Sequence, residues 1–86
     1  MLNLIYAPIF VKKFNKLEEN LQDEVIEKIE LFKDARNHKI LKVHKLHGQF
    51  KNCYSFSVNY EFRIIFSYAS KKDVDILAIG GHDIYK

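Results

Sequence analysis

The hydrophobic period changes once along this chain, from helical spacing to strict alternation, and that change limits the folds open to it. Apolar residues first return every three or four positions, as Phe10, Phe14 and Leu17 and then Leu21, Val25, Ile29 and Phe32. Such spacing places each set on one side of an α-helix. From residue 52 the period is two. Tyr54, Phe56 and Val58 alternate with Cys53, Ser55, Ser57 and Asn59, and Phe62, Ile64, Phe66 and Tyr68 alternate with Glu61, Arg63, Ile65 and Ser67. This is the pattern of strands with one buried face.

The punctuation agrees with the periods. Leu2 to Tyr6 alternates loosely and reads as a short opening strand, and Pro8 suits the first turn of a helix, where its missing N–H costs nothing. Asn20 with Asp23 reads as a capping pair for the second helix, Ile26 widens its apolar stripe, and Arg36-Asn37-His38 ends it, His38 acting as a C-terminal cap. Turns fall near Asn59-Tyr60 and at Ser70-Lys71-Lys72-Asp73, and Val74 to Ile79 forms a last strand closed by Gly80-Gly81. The predicted order is β-α-α-β-β-β. It describes an α+β fold: an antiparallel sheet with a helical hairpin packed on one face, the other face being free for function.

Size narrows the function classes. Ordering 86 residues at about 1.5 kcal/mol each costs roughly 130 kcal/mol, so nearly every large apolar side chain is needed in one core. The expectation is a single domain over residues 1–86, with no room for two lobes and no repeat to suggest a solenoid. Apolar runs of only a few residues predict no membrane span and no signal-peptide core. A lone cysteine, Cys53, excludes an internal disulfide and fits a reducing cytoplasm, and no neighbouring pattern marks it as a catalytic thiol.

The formal net charge of +3 conceals a division. Residues 1–17 hold three lysines and no acid, residues 18–37 hold seven acids against three bases, and residues 38–86 hold eight bases against four acids. Within the last part, His38 to Tyr54 carries Lys39, Lys42, Lys45 and Lys51 with three histidines and no carboxylate. A polarised surface of this kind can meet a phosphate backbone; solubilising lysines on a loop are the plainer alternative.

Chemistry concentrates on the predicted open face. Ser55 and Ser57 point the same way along one strand, and Arg63 lies on the next. An arginine in mid-strand needs an anion or a carboxylate, and Glu61 and Asp75 are the internal candidates for an ion pair. His44 and His47 would share one face of a helix, which raises zinc, but no third ligand stands at motif spacing and no metal or cofactor is expected. His82 follows two glycines past a strand end, with Asp83 and Tyr85 nearby. Cutting RNA without a metal requires deprotonating a 2′-OH, holding the phosphate, stabilising its developing charge and protonating the leaving oxygen. Histidine, titrating near pH ~6.5, suits either proton transfer. Arginine's permanently charged fork suits the phosphate, and aromatics suit a splayed base.

These residues resemble the RelE/ParE superfamily of bacterial toxins, and within it the RelE-like mRNA interferase branch. The likeness covers nearly the whole chain, from Pro8-to-Leu17 through the Leu21-to-Phe32 helix. Lys45-Leu46-His47-Gly48 is similar to the family's basic lead-in to the sheet, Phe62-Arg63-Ile64-Ile65-Phe66 to its arginine strand, and Ile79-Gly80-Gly81-His82-Asp83-Ile84-Tyr85 to its ending. The resemblance implies a type II toxin that cleaves mRNA in the ribosomal A site, by 2′-OH attack giving a 2′,3′-cyclic phosphate, and that is held by a cognate antitoxin.

The resemblance also implies roles. Arg63 matches the arginine on the scissile phosphate, His82 a proton-transfer or charge-stabilising position, and Tyr85 an aromatic set against the RNA. His44 falls near a histidine used by His-dependent relatives, while Lys42, Lys45, His47 and Lys51 fall in the stretch that grips RNA. Two departures leave the general base open: the C-terminal basic residue is His82, and Ser57 stands where some relatives carry a second sheet histidine. The same fold also serves ParE-like inhibitors of DNA gyrase that perform no chemistry, and inactive relatives, so those remain the alternative readings.

Overall fold

The computed structural model describes residues 1–81 together with Ile84. Strand β1 (Asn3–Tyr6) leads into helix α1 (Pro8–Asn15), and helix α2 (Glu19–Phe32) follows after a short link. Pro8 opens α1 as its spacing predicts, and the helix buries Phe10. The backbone N–H of Leu17 bonds to the Phe14 carbonyl at 3.0 Å, and the Gln22 side chain donates to the same carbonyl at 2.9 Å. The last turn of α1 is therefore satisfied partly from α2, which folds the two helices into the expected hairpin.

Two details of α2 differ from expectation. Its N-cap position is Glu18, with no side-chain cap bond, so Asn20 and Asp23 lie inside the helix rather than before it. The Gln22 N–H already reaches the Glu18 carbonyl at 3.0 Å, and Glu19 supplies the negative charge favoured in a first turn. Ile26 is 51% exposed. It lines a shallow apolar groove between the helices with Tyr6, Val11 and Phe14, while Val25, Ile29 and Phe32 alone form the buried stripe.

Strands β2 (His44–Lys45), β3 (Tyr54–Ser57), β4 (Arg63–Tyr68) and β5 (Asp73–Gly80) complete a five-stranded sheet in the order β1-β5-β4-β3-β2. The β3–β4–β5 meander is antiparallel, as predicted, and β2 adds an unpredicted antiparallel edge strand, but β1 lies parallel to β5, so the sheet is mixed. The count of reversals explains the change. Three antiparallel steps separate β5 from β2, so β2, reached through the helical hairpin and lying at the far edge, runs opposite to β1, and β5 runs the same way as β1. The two-residue β2 was too short to show an alternation of its own.

Side chains fix the β3–β4 and β4–β5 turns. Asn59 Oδ1 accepts from the N–H groups of Glu61 and Phe62, each at 2.8 Å, while its amide donates to Glu24 on α2 at 2.6 Å. Ser70 Oγ donates to Asp73 at 2.7 Å and accepts from the Asp73 N–H at 3.1 Å. The Ser70 hydroxyl, and then the Asn3 amide, hold the Asp73 carboxyl below its ordinary range.

The core lies between the helices and one sheet face. Phe10, Val25, Ile29 and Phe32 meet Phe56, Val58, Ile64, Phe66, Val74, Ile76 and Ile79. Phe32 is its centre, stacked on Phe56 at 4.4 Å between ring centroids and edge-on to Phe66 at 4.7 Å. Leu41 joins this cluster from an irregular turn, a core position that no periodicity announces. His38 caps α2 as expected: its Nε2 lies 2.8 Å from the Phe32 carbonyl and its ring stacks on Phe32 at 4.7 Å.

Candidate functional site

Register builds the second sheet face. His44 pairs with Ser55, Ser55 with Ile65 and Ile65 with Ala78; one row on, Ser57 pairs with Arg63 and Arg63 with Gly80. Directly opposed residues share a face, as do residues two apart on a strand, so all seven lie opposite the helices. That face is only partly open. Ser55 is 0% and Ile65 3% exposed, whereas His44 is exposed and Ser57 and Arg63 are half-buried. From strand spacings, the Cα atoms of His44 and Arg63 are about 12 Å apart, room for a phosphate between the two side chains.

The geometry at His44 selects one tautomer. Its Nδ1 lies 2.9 Å from the Lys42 carbonyl, which can only accept, so Nδ1 carries the proton in the neutral ring. Nε2 is then the lone-pair nitrogen. It faces the Ser55 hydroxyl at 3.4 Å, a partner that donates to the neutral ring and accepts from the charged one. Lys42 presents its carbonyl from a left-handed backbone conformation, φ 59°. The result is an exposed histidine held by its far nitrogen with the near one available as a base, the orientation that proton transfer needs.

Arg63 forms neither of the ion pairs considered above. The ion pairs among the described residues join Glu27 to Lys28, Glu30 to Lys33 and Asp34 to Arg36. Asp75 pairs in register with Ser67, four residues along β4 from Arg63, or about 13 Å at strand spacing. Arg63 instead folds back on the turn that precedes it. Its Nη1 donates to the carbonyls of Asn59 at 2.8 Å and Phe62 at 3.2 Å, with Tyr60 at 3.4 Å. Carbonyl oxygens orient a guanidinium without cancelling its charge, so the cation stays available to an anion.

The remaining predicted residues divide. Lys42 precedes β2; His47 and Lys51 flank the 3₁₀ turn Gly48–Phe50, and all three are exposed. His44 and His47 therefore do not share a helix, because the segment is strand and turn. Lys45 pairs with Tyr54 and so alternates to the face away from His44. No group of three metal-ligating side chains occurs among the described residues. His82 and Tyr85 lie outside the described residues. Two side chains gain weight that sequence reading did not assign: Ser55, which meets His44 only through the register, and Lys13, whose ammonium reaches the end of β5 beside Gly80.

With these positions in place, the chain superposes over nearly its full length on solved toxin–antitoxin structures. The RelBE2 toxin–antitoxin complex from Mycobacterium tuberculosis matches with a TM-score of 0.74 at 15% identity, over 94% of this chain and 98% of that one. The YoeB–YefM complex from Staphylococcus aureus matches at 0.73 and 17% identity, over 95% and 98%. The intact E. coli RelBE toxin–antitoxin complex matches at 0.72 and 17%, over 94% and 96%. The chain has the RelE-like toxin fold. No protein-family model matches its sequence, and neither does any curated protein. Within the RelE-like fold, the face carrying His44, Ser55, Ser57 and Arg63 is the candidate site. No described helix is long and apolar enough to cross a membrane.

Proposed function

We propose that this chain is the toxin of a type II toxin–antitoxin pair and an endoribonuclease that cleaves mRNA on the ribosome in the cytoplasm. The observation that carries the reading is the pairing, on one sheet face, of an oriented histidine base with an arginine that has no carboxylate partner among the described residues. The RelE-like fold supports it, since its structural neighbours are the toxins of toxin–antitoxin complexes.

In this mechanism the RNA phosphate lies between His44 and Arg63. Nε2 of His44 takes the proton of the attacking 2′-OH, and the new P–O bond closes a 2′,3′-cyclic phosphate as the bond to the 5′ oxygen breaks. Arg63 neutralises the charge that develops on the phosphoryl oxygens, an electrostatic contribution that is largest in a partly desolvated site. His82, two residues beyond Gly80 in sequence, returns a proton to the leaving 5′ oxygen, and Tyr85 orients the base. Lys42, His47 and Lys51 hold the flanking strand, with Lys45 reaching it from the sheet edge. A cognate antitoxin masks this basic surface.

The test is cleavage of mRNA in translating ribosomes by the wild type, Arg63→Ala and His82→Ala. The expected result is cleavage by the wild type alone, with each variant slowed at least a hundredfold. Equal cleavage by all three overturns the site. A silent wild type that inhibits purified gyrase in a supercoiling assay transfers the chain to the ParE-like reading.

A further inference from the structure

Gly80 stands directly opposite Arg63 in the β4–β5 ladder, and its missing side chain is filled from elsewhere. A Cβ there would meet Ile84 Cβ at 3.2 Å and the Lys13 ammonium at 3.3 Å. Helix α1, which carries Lys13, packs against β5 and so delivers this cation to the end of the sheet. Paired Cα atoms are about 5 Å apart, which places the Lys13 nitrogen within about 10 Å of the Arg63 Cα. Lys13 joins none of the ion pairs among the described residues, and residues 1–17 contain no acid to pair with it. Two cations that join no ion pair among the described residues thus converge on one end of the candidate face. Their mutual repulsion is relieved when an anion binds between or beside them.

We propose that Lys13 is a second phosphate-binding residue of the site, holding the RNA phosphate next to the one held by Arg63. This rests on the ribonuclease reading and extends it. A lysine suits the outer position because it binds phosphate as a point charge without demanding a fixed plane. The glycine at position 80 is what allows the ammonium so close to the strand.

A uniformly 2′-O-methylated oligoribonucleotide, which has no free 2′-OH to attack, is the probe. It is titrated by NMR into the whole chain while the Arg63 Nε–H and the Lys13 and Lys71 ε-methylene signals are followed. Lys71 is the control: it lies in the turn at the opposite end of β5, a strand of eight residues and about 23 Å. The expected result is that Arg63 and Lys13 shift along one binding curve and Lys71 does not. Lys13→Gln should weaken binding roughly three- to fivefold at low salt, the upper range for one exposed ion pair. It should also reduce the slope of log affinity against log salt by about 0.7. Lys13→Arg should retain the affinity, and Lys71→Gln should match the wild type. Saturation of Arg63 with Lys13 unmoved, or equal losses in Lys13→Gln and Lys71→Gln, overturns the role of Lys13 alone. Failure of both Arg63 and Lys13 to shift overturns the RNA reading of this face as well.

Discussion

Replacing His44 by asparagine isolates the proposed base from the loop that holds it. The imidazole makes two contacts with different duties: Nδ1 to the Lys42 carbonyl at 2.9 Å and Nε2 to Ser55 at 3.4 Å. The amide nitrogen of asparagine sits where Nδ1–H does, so it can keep the first contact while nothing replaces Nε2. His44 is exposed and the bond to Ser55 is long, so the stability change should stay below about 1 kcal/mol. The catalytic change should be far larger. A positioned general base contributes about 10²- to 10⁴-fold, or roughly 3 to 5 kcal/mol of barrier. The pair of measurements is single-turnover mRNA cleavage on stalled ribosomes, read by primer extension, and urea unfolding of the free chain. The variant should unfold almost as the wild type does and cleave at least a hundredfold more slowly. Cleavage within threefold of the wild type would refute the assignment, because no tautomer argument survives the loss of the nitrogen it concerns.

Two further predictions concern the frame. Phe32→Ala removes the fully buried ring that stacks on Phe56 and His38, and should cost about 3 to 5 kcal/mol, lowering Tm by at least about 12 °C; thermal and urea melts followed by circular dichroism check this, and a loss under 1.5 kcal/mol (roughly half the lower bound) contradicts the packing argument. The Arg36 guanidinium beside Asp34 holds that carboxyl at about 2, against an ordinary 3.8. A depressed carboxyl stabilises the fold above its unfolded pKa, so this contribution should be present above pH 3.8 and vanish as pH falls toward about 2. NMR titration of the Asp34 carboxyl tests it, with Arg36→Gln expected to return the midpoint toward the ordinary value.

Much of the architecture was legible before any coordinates because period is a local property. The change from a spacing of three or four to a spacing of two located both helices and the β3–β4–β5 meander, and it assigned Arg63, Ser55 and Ser57 to one face. The errors share a cause. Strand β1 runs parallel to β5, Leu41 belongs to the core, and Ile26 does not; each depends on what lies across from the residue rather than beside it. The Asn20 cap failed similarly, since the link tied down by Gln22 and Phe14 let α2 begin earlier.

The candidate site divides along the same line. Sequence alone determined which residue types are present and, by alternation and resemblance, that Arg63 and His44 were worth pairing with His82 and Tyr85. It left the general base open, because a histidine's usable nitrogen is set by what the other nitrogen bonds. Only the tertiary structure shows which nitrogen of His44 that is: the Lys42 carbonyl takes Nδ1–H, the β2–β3 register puts Ser55 against Nε2, and Lys45 turns away. It also brought Lys13, fifty residues before Arg63 in the chain, to the glycine opposite it. Periodicity records which way a side chain faces relative to its neighbours in the chain. Hydrogen-bond partners and converging charges arise between segments, from packing, and the chain must fold before they exist.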